Sequence, residues 1–221
     1  MVSQVTRSEI KVYRDLMGAN AEWAGRSRQM LDELGIIMIN LIGSPGAGKT
    51  TLLERTIERL CGHLRVAVLE GDIETTCDAE RLNGLGIPVS QLLTGGGCHL
   101  EAKMIHRALC DLPLSDLDMV IVENVGNLVC PAEFDIGELA KIAVLSVTEG
   151  EDKPLKYPLL FHEARAVVIT KTDLLPYIPY KLPLCLDNLK RVNGAIPVFQ
   201  VSAVTGAGLE AWIEWMKGLS T

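Results

Sequence analysis

Residues 43 to 50, Gly43-Ser44-Pro45-Gly46-Ala47-Gly48-Lys49-Thr50, spell G-x-x-x-x-G-K-[ST] directly after an apolar run and at the opening of a helical pattern. Glycines at these places let backbone N–H groups turn inward around phosphates. Lys49 is placed to reach the outer phosphate oxygens, and the Thr50 hydroxyl is placed to sit on a magnesium ion. The loop is a phosphate cradle, and Ser44, Gly46, Ala47, Gly48, Lys49, Thr50 and Thr51 are the expected contacts of a nucleoside triphosphate.

Two carboxylate-bearing stretches follow later apolar runs, Glu70-Gly71-Asp72 and Glu123-Asn124-Val125-Gly126. Magnesium takes oxygen ligands and keeps several waters, so Thr50 with Asp72, Glu123 or both is a suitable shell, Asp72 being the better placed for the ion. Glu123 and Gly126 stand where many GTPases carry D-x-x-G, which suits Glu123 either to position the attacking water, a role Asp72 could also take, or to sense the outer phosphate, with Gly126 among the nucleotide contacts. Further along, Thr170-Lys171-Thr172-Asp173 and then Ser202-Ala203 read as the base site. The carboxylate of Asp173 accepts from guanine N1–H and the 2-amino group. Adenine would leave it facing an acceptor, so guanine is favoured. Lys171 is expected along the base plane, and the N–H of Ala203 is expected to reach the guanine O6.

A different chemistry is suggested by Gly95-Gly96-Gly97-Cys98-His99-Leu100, which sets a thiol beside an imidazole at the expected start of a helix, and by Cys130, a few residues beyond Gly126. The spacing is not that of a zinc finger. What joins these residues is location, since Glu123, Gly126 and Cys130 share one loop, and a segment ordered by the outer phosphate would carry a thiolate ligand with it. Three ligands leave a four-coordinate site incomplete, so water or a second protomer would supply the fourth. Nickel, zinc and copper all suit such donors.

These residues need a scaffold. Apolar runs at 36–42, 65–69, 89–92, 119–122, 142–147, 166–170 and 197–201 alternate with helical patterns, which predicts an α/β fold of the P-loop NTPase type, a mostly parallel central sheet flanked by helices. Several runs are apolar almost throughout, as for strands covered on both faces. Ligands then belong beyond the carboxyl ends of the strands. Before the sheet, apolar residues recur at helical spacing from Ile10 through Leu34, predicting an amphipathic N-terminal helix that Gly35 ends. At 221 residues, 48% of them apolar, the chain is expected to build one domain, a helix over 1–34 and a GTP-binding core over 35–221. With 21 Lys and Arg against 28 Asp and Glu, the net charge of −7 argues against a nucleic-acid partner. No apolar stretch reaches membrane-span length and the N-terminal residues lack a signal-peptide core, so a cytoplasmic location with no membrane partner is expected. The six cysteines lack the spacing of a disulfide scaffold, so they are expected as thiols.

Taken together, these stretches resemble the hydrogenase maturation nickel-incorporation GTPases of the HypB family. The likeness runs through Gly43 to Thr51, Gly71-Asp72-Ile73-Glu74-Thr75, Asp78-Ala79-Glu80-Arg81, Cys98-His99-Leu100, the run from Glu123 to Pro131, the run from Glu149 to Pro158, and Lys171-Thr172-Asp173-Leu174-Leu175-Pro176, essentially the whole chain. The resemblance implies a Mg-dependent GTPase and metallochaperone that forms a GTP-dependent homodimer and binds nickel or zinc through Cys98, His99 and Cys130. It also implies two protein partners, a small nickel-chaperone protein and the [NiFe]-hydrogenase large-subunit precursor. Three departures stand out. The N-terminal cysteine motif and histidine-rich tract of some members are missing. The base motif opens with Thr170 in place of the commoner Asn, which predicts a weaker brace to the P-loop. Where some relatives carry a second histidine, this chain has Lys103, with His106 read as a surface residue. Lys153 and Lys156 divide between a solvated charged loop and, by similarity to related dimeric GTPases, a role at phosphate across the dimer.

Three rival readings exist, the first of them set aside. A urease-type nickel GTPase should show Cys-Pro-His, whereas the stretch here is Val129-Cys130-Pro131-Ala132. A small-molecule P-loop kinase would have no need of Asp173 to reject adenine, and a nucleotide-dependent scaffold would have no need of Cys98 and Cys130.

Overall fold

The structure, a computed structural model, describes residues 7–72 and 77–219, with the backbone alone described for 7–16, 77 and 80. Among these residues the strands β1 (Ile37–Gly43), β2 (Val66–Asp72), β3 (Val89–Leu93), β4 (Met119–Glu123), β5 (Ala140–Ser146), β6 (Ala166–Thr170) and β7 (Val198–Gln200) form one sheet. Its order is β3-β2-β4-β1-β5-β6-β7, with every pairing parallel. The helices are α1 (Arg7–Leu34), α2 (Lys49–Leu60), α3 (Cys77–Asn83), α4 (Ala102–Cys110), α5 (Cys130–Glu133), α6 (Lys153–Lys156), α7 (Pro158–Glu163), α8 (Leu182–Val192) and α9 (Leu209–Lys217).

The expected α/β architecture is present, and each anticipated strand appears with ends shifted by no more than a few residues. The reason for the near-continuous apolar runs is visible in β1. Ile37, Ile39 and Leu41 point into a core shared with Leu52 and Leu53 of α2 and with Trp212 and Ile213 of α9. Met38 packs with Leu31 of α1 and Ile105 of α4 on the opposite face, and Ile42 joins Phe161 of α7 and Leu189 of α8. Both sides of each pleat are covered, so period-two alternation is lost. At Asn40 the polar side chain is itself buried, donating to Glu138 at 3.3 Å and accepting from Asn124 at 3.1 Å.

Helix α1 ends as its sequence predicts. Gly35 takes φ +67°, and Ile36 N donates to Leu31 O at 2.9 Å, closing a Schellman turn that turns the chain straight into β1. The helix then runs along α4, with Ser27 Oγ 3.2 Å from His106 Nδ1 and Trp23 tilted against the His106 ring at 5.1 Å. His106 is thus half-buried in a helix-helix seam, which corrects its reading as a surface residue. No described helix is long and apolar enough to cross a membrane.

Candidate functional site: a nucleotide cleft joined to a thiol-imidazole cluster

The carboxyl ends of β1, β2 and β4 open onto a cavity of about 450 Å³ whose lining includes Gly46, Gly48, Lys49, Thr50, Glu70, Asp72, Glu123, Gly126 and Lys171. Register explains the convergence, because Glu70 lies directly beside Glu123 across the β2–β4 pair. The P-loop turns on Gly46 and Gly48 at φ +72° and +87°, and α2 begins at Lys49 with its amide end toward the cavity. Lys49 Nζ is folded back to within 3.4 Å of Gly43 O and 3.5 Å of Ser44 O, a buried ammonium whose pKa burial lowers and the nearby Glu123 carboxylate partly restores.

Thr50 Oγ1 donates to Glu123 Oε1 at 2.8 Å, so the hydroxyl expected on magnesium is shared with β4. Asp72 lines the same cavity at the end of β2. Among the described residues, the buried oxygens Glu70 Oε2 and Glu123 Oε2 have no hydrogen-bond partner. An all-oxygen cluster with orphaned carboxylate atoms beside a P-loop threonine fits a hard divalent cation such as magnesium. Thr50, Glu123 and Asp72 would hold the ion, which would neutralise charge on the outer phosphates. Ile73, Glu74 and Thr75 of the adjoining stretch lie outside the described residues.

Glu70 carries no role in the sequence motifs, yet it lines the cavity beside Glu123. Burial, then the neighbouring Glu123 charge, push its carboxyl up to about 7, with Gln91 opposing by a hydrogen bond. Burial likewise lifts Glu123 to about 7, against Lys49 and the Thr50 hydroxyl. The signal available in the sequence was a Glu inside an otherwise apolar strand, two residues before the Asp72 strand end. Both acids hold protons in the fold that the unfolded chain, with a carboxyl pKa near 4.5, gives up. The native state therefore binds more protons between about pH 4.5 and 7, and the stability they contribute is complete below 4.5 and is lost as pH rises through 7. The protein free of nucleotide and magnesium should melt lower at pH 8 than at pH 5.5. Glu70→Gln should flatten that slope, gaining on the order of 1–3 kcal/mol at pH 8. A melting temperature in scanning calorimetry that does not fall over this range would contradict the assignment.

The residues expected to read the base line a second cavity of about 280 Å³, with Gly48, Thr51, Asp173, Ala203 and Val204 among its walls, and it shares Gly48, Thr51 and Lys171 with the P-loop cavity. Ser202 Oγ donates to Asp173 Oδ1 at 2.6 Å and in turn accepts from Thr205 N at 3.1 Å, which fixes the direction of the carboxylate. Lys171, at φ 59°, donates to Gly46 O at 2.6 Å across the loop. Thr170 does brace the P-loop. Its Oγ1 donates to Ala47 O at 2.6 Å in a buried contact.

The loop after β4 joins this cleft to the sulfur site. A Cβ on Gly126 would lie 2.7 Å from the Pro45 ring, so the segment lies against the P-loop at a distance only glycine allows. The next residue, Asn127, donates to Cys98 O at 2.9 Å and accepts from Val129 N at 2.9 Å. Cys130 follows at the start of α5. The ligand atoms of Cys98, His99 and Cys130 lie within 4.8 Å of one another, with the two Sγ atoms 2.9 Å apart. The His99 ring stacks on Phe134 at 3.8 Å, and its Nε2 is buried with no hydrogen-bond partner among the described residues; this burial lowers its pKa and favours the neutral imidazole a metal requires. Cys98 and His99 were expected to open a helix. They stand in the loop ahead of it, since α4 begins at Ala102.

Lys153 and Lys156 part company. Lys153 Nζ lies 3.5 Å from Ser44 Oγ and 3.3 Å from Glu149, over the face of Tyr157, so it reaches the P-loop. Lys156 pairs with Asp152 in an exposed ion pair of the solvated kind.

The sequence matches the CobW/HypB/UreG, nucleotide-binding domain family over residues 37–200. It is 47% identical over 208 residues to the hydrogenase maturation factor HypB of Azotobacter chroococcum mcd 1, covering 94% of this chain and 68% of that protein. The chain belongs to the HypB family of hydrogenase maturation factors. HypB of Escherichia coli strain K12 is 46% identical, with 96% of this chain and 73% of that one covered. Among solved structures, HypB from Archaeoglobus fulgidus superposes with a TM-score of 0.87 at 36% identity, covering 92% of this chain and all of that one. HypB from Helicobacter pylori in complex with nickel also gives 0.87, at 35% identity, covering 91% and 95% of the two chains. An LAO/AO transport system kinase, at 19% identity and a TM-score of 0.55, shares the P-loop fold alone.

Proposed function

We propose that this HypB-family chain is a Mg-dependent GTPase and metallochaperone that carries nickel or zinc on Cys98, His99 and Cys130 and promotes GTP-dependent nickel insertion into the [NiFe]-hydrogenase large-subunit precursor. The observation that carries the reading is the continuity of one loop. Gly126 lies on the P-loop, Asn127 holds the Cys98 backbone, and Cys130 completes the cluster four residues after Gly126. The nickel complex of the Helicobacter pylori relative supports nickel as the cargo.

In this account GTP seats its guanine on Asp173, with Lys171, Ser202 and Ala203 around it, and its phosphates on Ser44 to Thr51. Lys49 turns from the Gly43 and Ser44 carbonyls to the outer phosphate, where its charge stabilises the transition state. Magnesium, held by Thr50, Asp72 and Glu123, supplies further neutralisation when bound. Glu123 or Asp72 orients the attacking water. Ordering of the Gly126 to Cys130 loop resets the spacing of the three ligands, and hydrolysis lets the loop relax and release metal. Lys153, standing at Ser44, is the residue suited to reach phosphate across a GTP-dependent homodimer. The net charge of −7 and the family suit a cytoplasmic protein working with a small nickel-chaperone protein, with no nucleic acid or membrane partner.

The test is a pair of variants. Cys98→Ala and Cys130→Ala should hydrolyse GTP within about twofold of the parent yet fail to support nickel incorporation into the hydrogenase precursor, read as hydrogenase activity in cells lacking the endogenous factor. Activity equal to the parent would leave only a scaffold role.

A further inference from the structure

We propose that Asn20 is a positioning residue for the metal site, its single amide tying together the two segments that carry the ligands. The proposal rests on the reading of Cys98, His99 and Cys130 as ligands and extends it to α1, a helix otherwise remote from the cleft. Asn20 is half-buried on the face of α1 that also carries Ala24, Ser27, Arg28 and Leu31, the i, i+4, i+7, i+8 and i+11 positions. Its Oδ1 accepts the N–H of Ala102 at 2.9 Å, and its Nδ2 donates to Asp135 O at 2.7 Å. These two acceptor and donor groups belong to chain segments 33 positions apart. Ala102 comes three residues after His99, and Asp135 comes five residues after Cys130 and one after Phe134, on which His99 stacks.

The first bond supplies what the local sequence lacks. Glu101, the N-cap residue of α4, makes no side-chain cap bond, so the first amide of the helix is satisfied from α1. Where α4 begins, and hence where Cys98 and His99 stand before it, is set by Asn20. The second bond is reinforced two turns along α1, where Arg28 grips the Asp135 carboxylate at 2.8 and 2.9 Å. Gly137, at φ +92°, then passes so close that a Cβ there would lie 2.8 Å from Ala24 O. Asn127 and the His99–Phe134 stack join the two segments on the metal side, and Asn20 joins them from behind. A rigid helix bonded to both halves holds the spacing of three ligand atoms, which is the role that outer groups play around metal centres.

The experiment titrates nickel(II) into the full-length GDP-bound protein, reading the thiolate-to-nickel charge-transfer band and affinity by chelator competition. Four proteins are compared: the parent, Cys98→Ala, Asn20→Ala and Asn20→Asp. Loss of the band in Cys98→Ala establishes the ligand, and identical binding in Cys98→Ala and the parent would end the ligand reading and this proposal with it. Given that loss, Asn20→Ala should bind nickel about tenfold more weakly, with a displaced band at saturation and unchanged GDP affinity. Asn20→Asp keeps the acceptor for Ala102 but turns a carboxylate on the Asp135 carbonyl, and it should weaken nickel as Asn20→Ala does. It carries the test alone if Asn20→Ala does not fold. A role confined to capping α4 would instead leave Asn20→Asp like the parent, and a purely structural role would lower the melting temperature without moving the band. Either result overturns the proposal.

Discussion

Asp173→Asn is expected to lower GTP affinity by roughly 100- to 10,000-fold, because it replaces an acceptor of two charge-assisted hydrogen bonds, each worth about 1.5–3 kcal/mol, with a group that presents a donor to the guanine edge. The carboxylate is held in a fixed direction. Ser202 donates to it at 2.6 Å, and the cavity beside it is lined mostly by apolar surface, so an unmatched polar pair there is poorly compensated. The same variant should gain affinity for xanthosine triphosphate, whose 2-oxo group accepts from the new amide. Competition of each nucleotide against a fluorescent GDP measures both effects. Unchanged GTP affinity, or ATP binding as well as GTP in the parent, would remove guanine recognition from this pocket.

Lys49→Ala is expected to slow hydrolysis by roughly 100- to 1,000-fold in kcat, about 2.7–4 kcal/mol of lost transition-state stabilisation. Lys49 is buried, and its Nζ makes long contacts of 3.4 Å to Gly43 O and 3.5 Å to Ser44 O, so its ammonium can turn to phosphate without breaking a strong bond. Its removal also leaves the buried Glu123 without the cation that offsets its desolvation. Single-turnover measurement with saturating Mg·GTP separates this loss from weaker binding. A fall of less than tenfold would mean that charge at the outer phosphate is neutralised by another group.

The sheet and the phosphate cradle were legible because their signals are local. An apolar strand, a glycine-rich turn and a helix opening with Lys-Thr are each written in consecutive residues, and β6 appears with the bounds its sequence predicts. What sequence reasoning misplaced depends on distant partners. Cys98 and His99 precede α4 because the helix is capped from α1 by Asn20, 82 positions away. Thr170 keeps its brace because the Ala47 carbonyl comes within 2.6 Å of a short hydroxyl, a distance set by the β1–β5–β6 pairing. Glu70 has weight because strand register places it beside Glu123. The cluster of Cys98, His99 and Cys130 was suggested by residue type and by the shared loop, and its closeness follows from the Asn127 bond and the His99–Phe134 stack.

In the proposed function, nucleotide state and metal binding are coupled through the Gly126 to Cys130 loop. The direct measurement is a nickel titration of the protein bound to GDP and, in parallel, to a non-hydrolysable GTP analogue, giving affinity and stoichiometry per protomer. The loop's contacts with Pro45 and with Cys98 predict affinities that differ by roughly 5- to 150-fold between the two states, with nickel shifting nucleotide affinity by the same factor. Equal nickel affinity in both states would contradict a nucleotide-gated metal site and would leave GTP hydrolysis to act on partner docking instead.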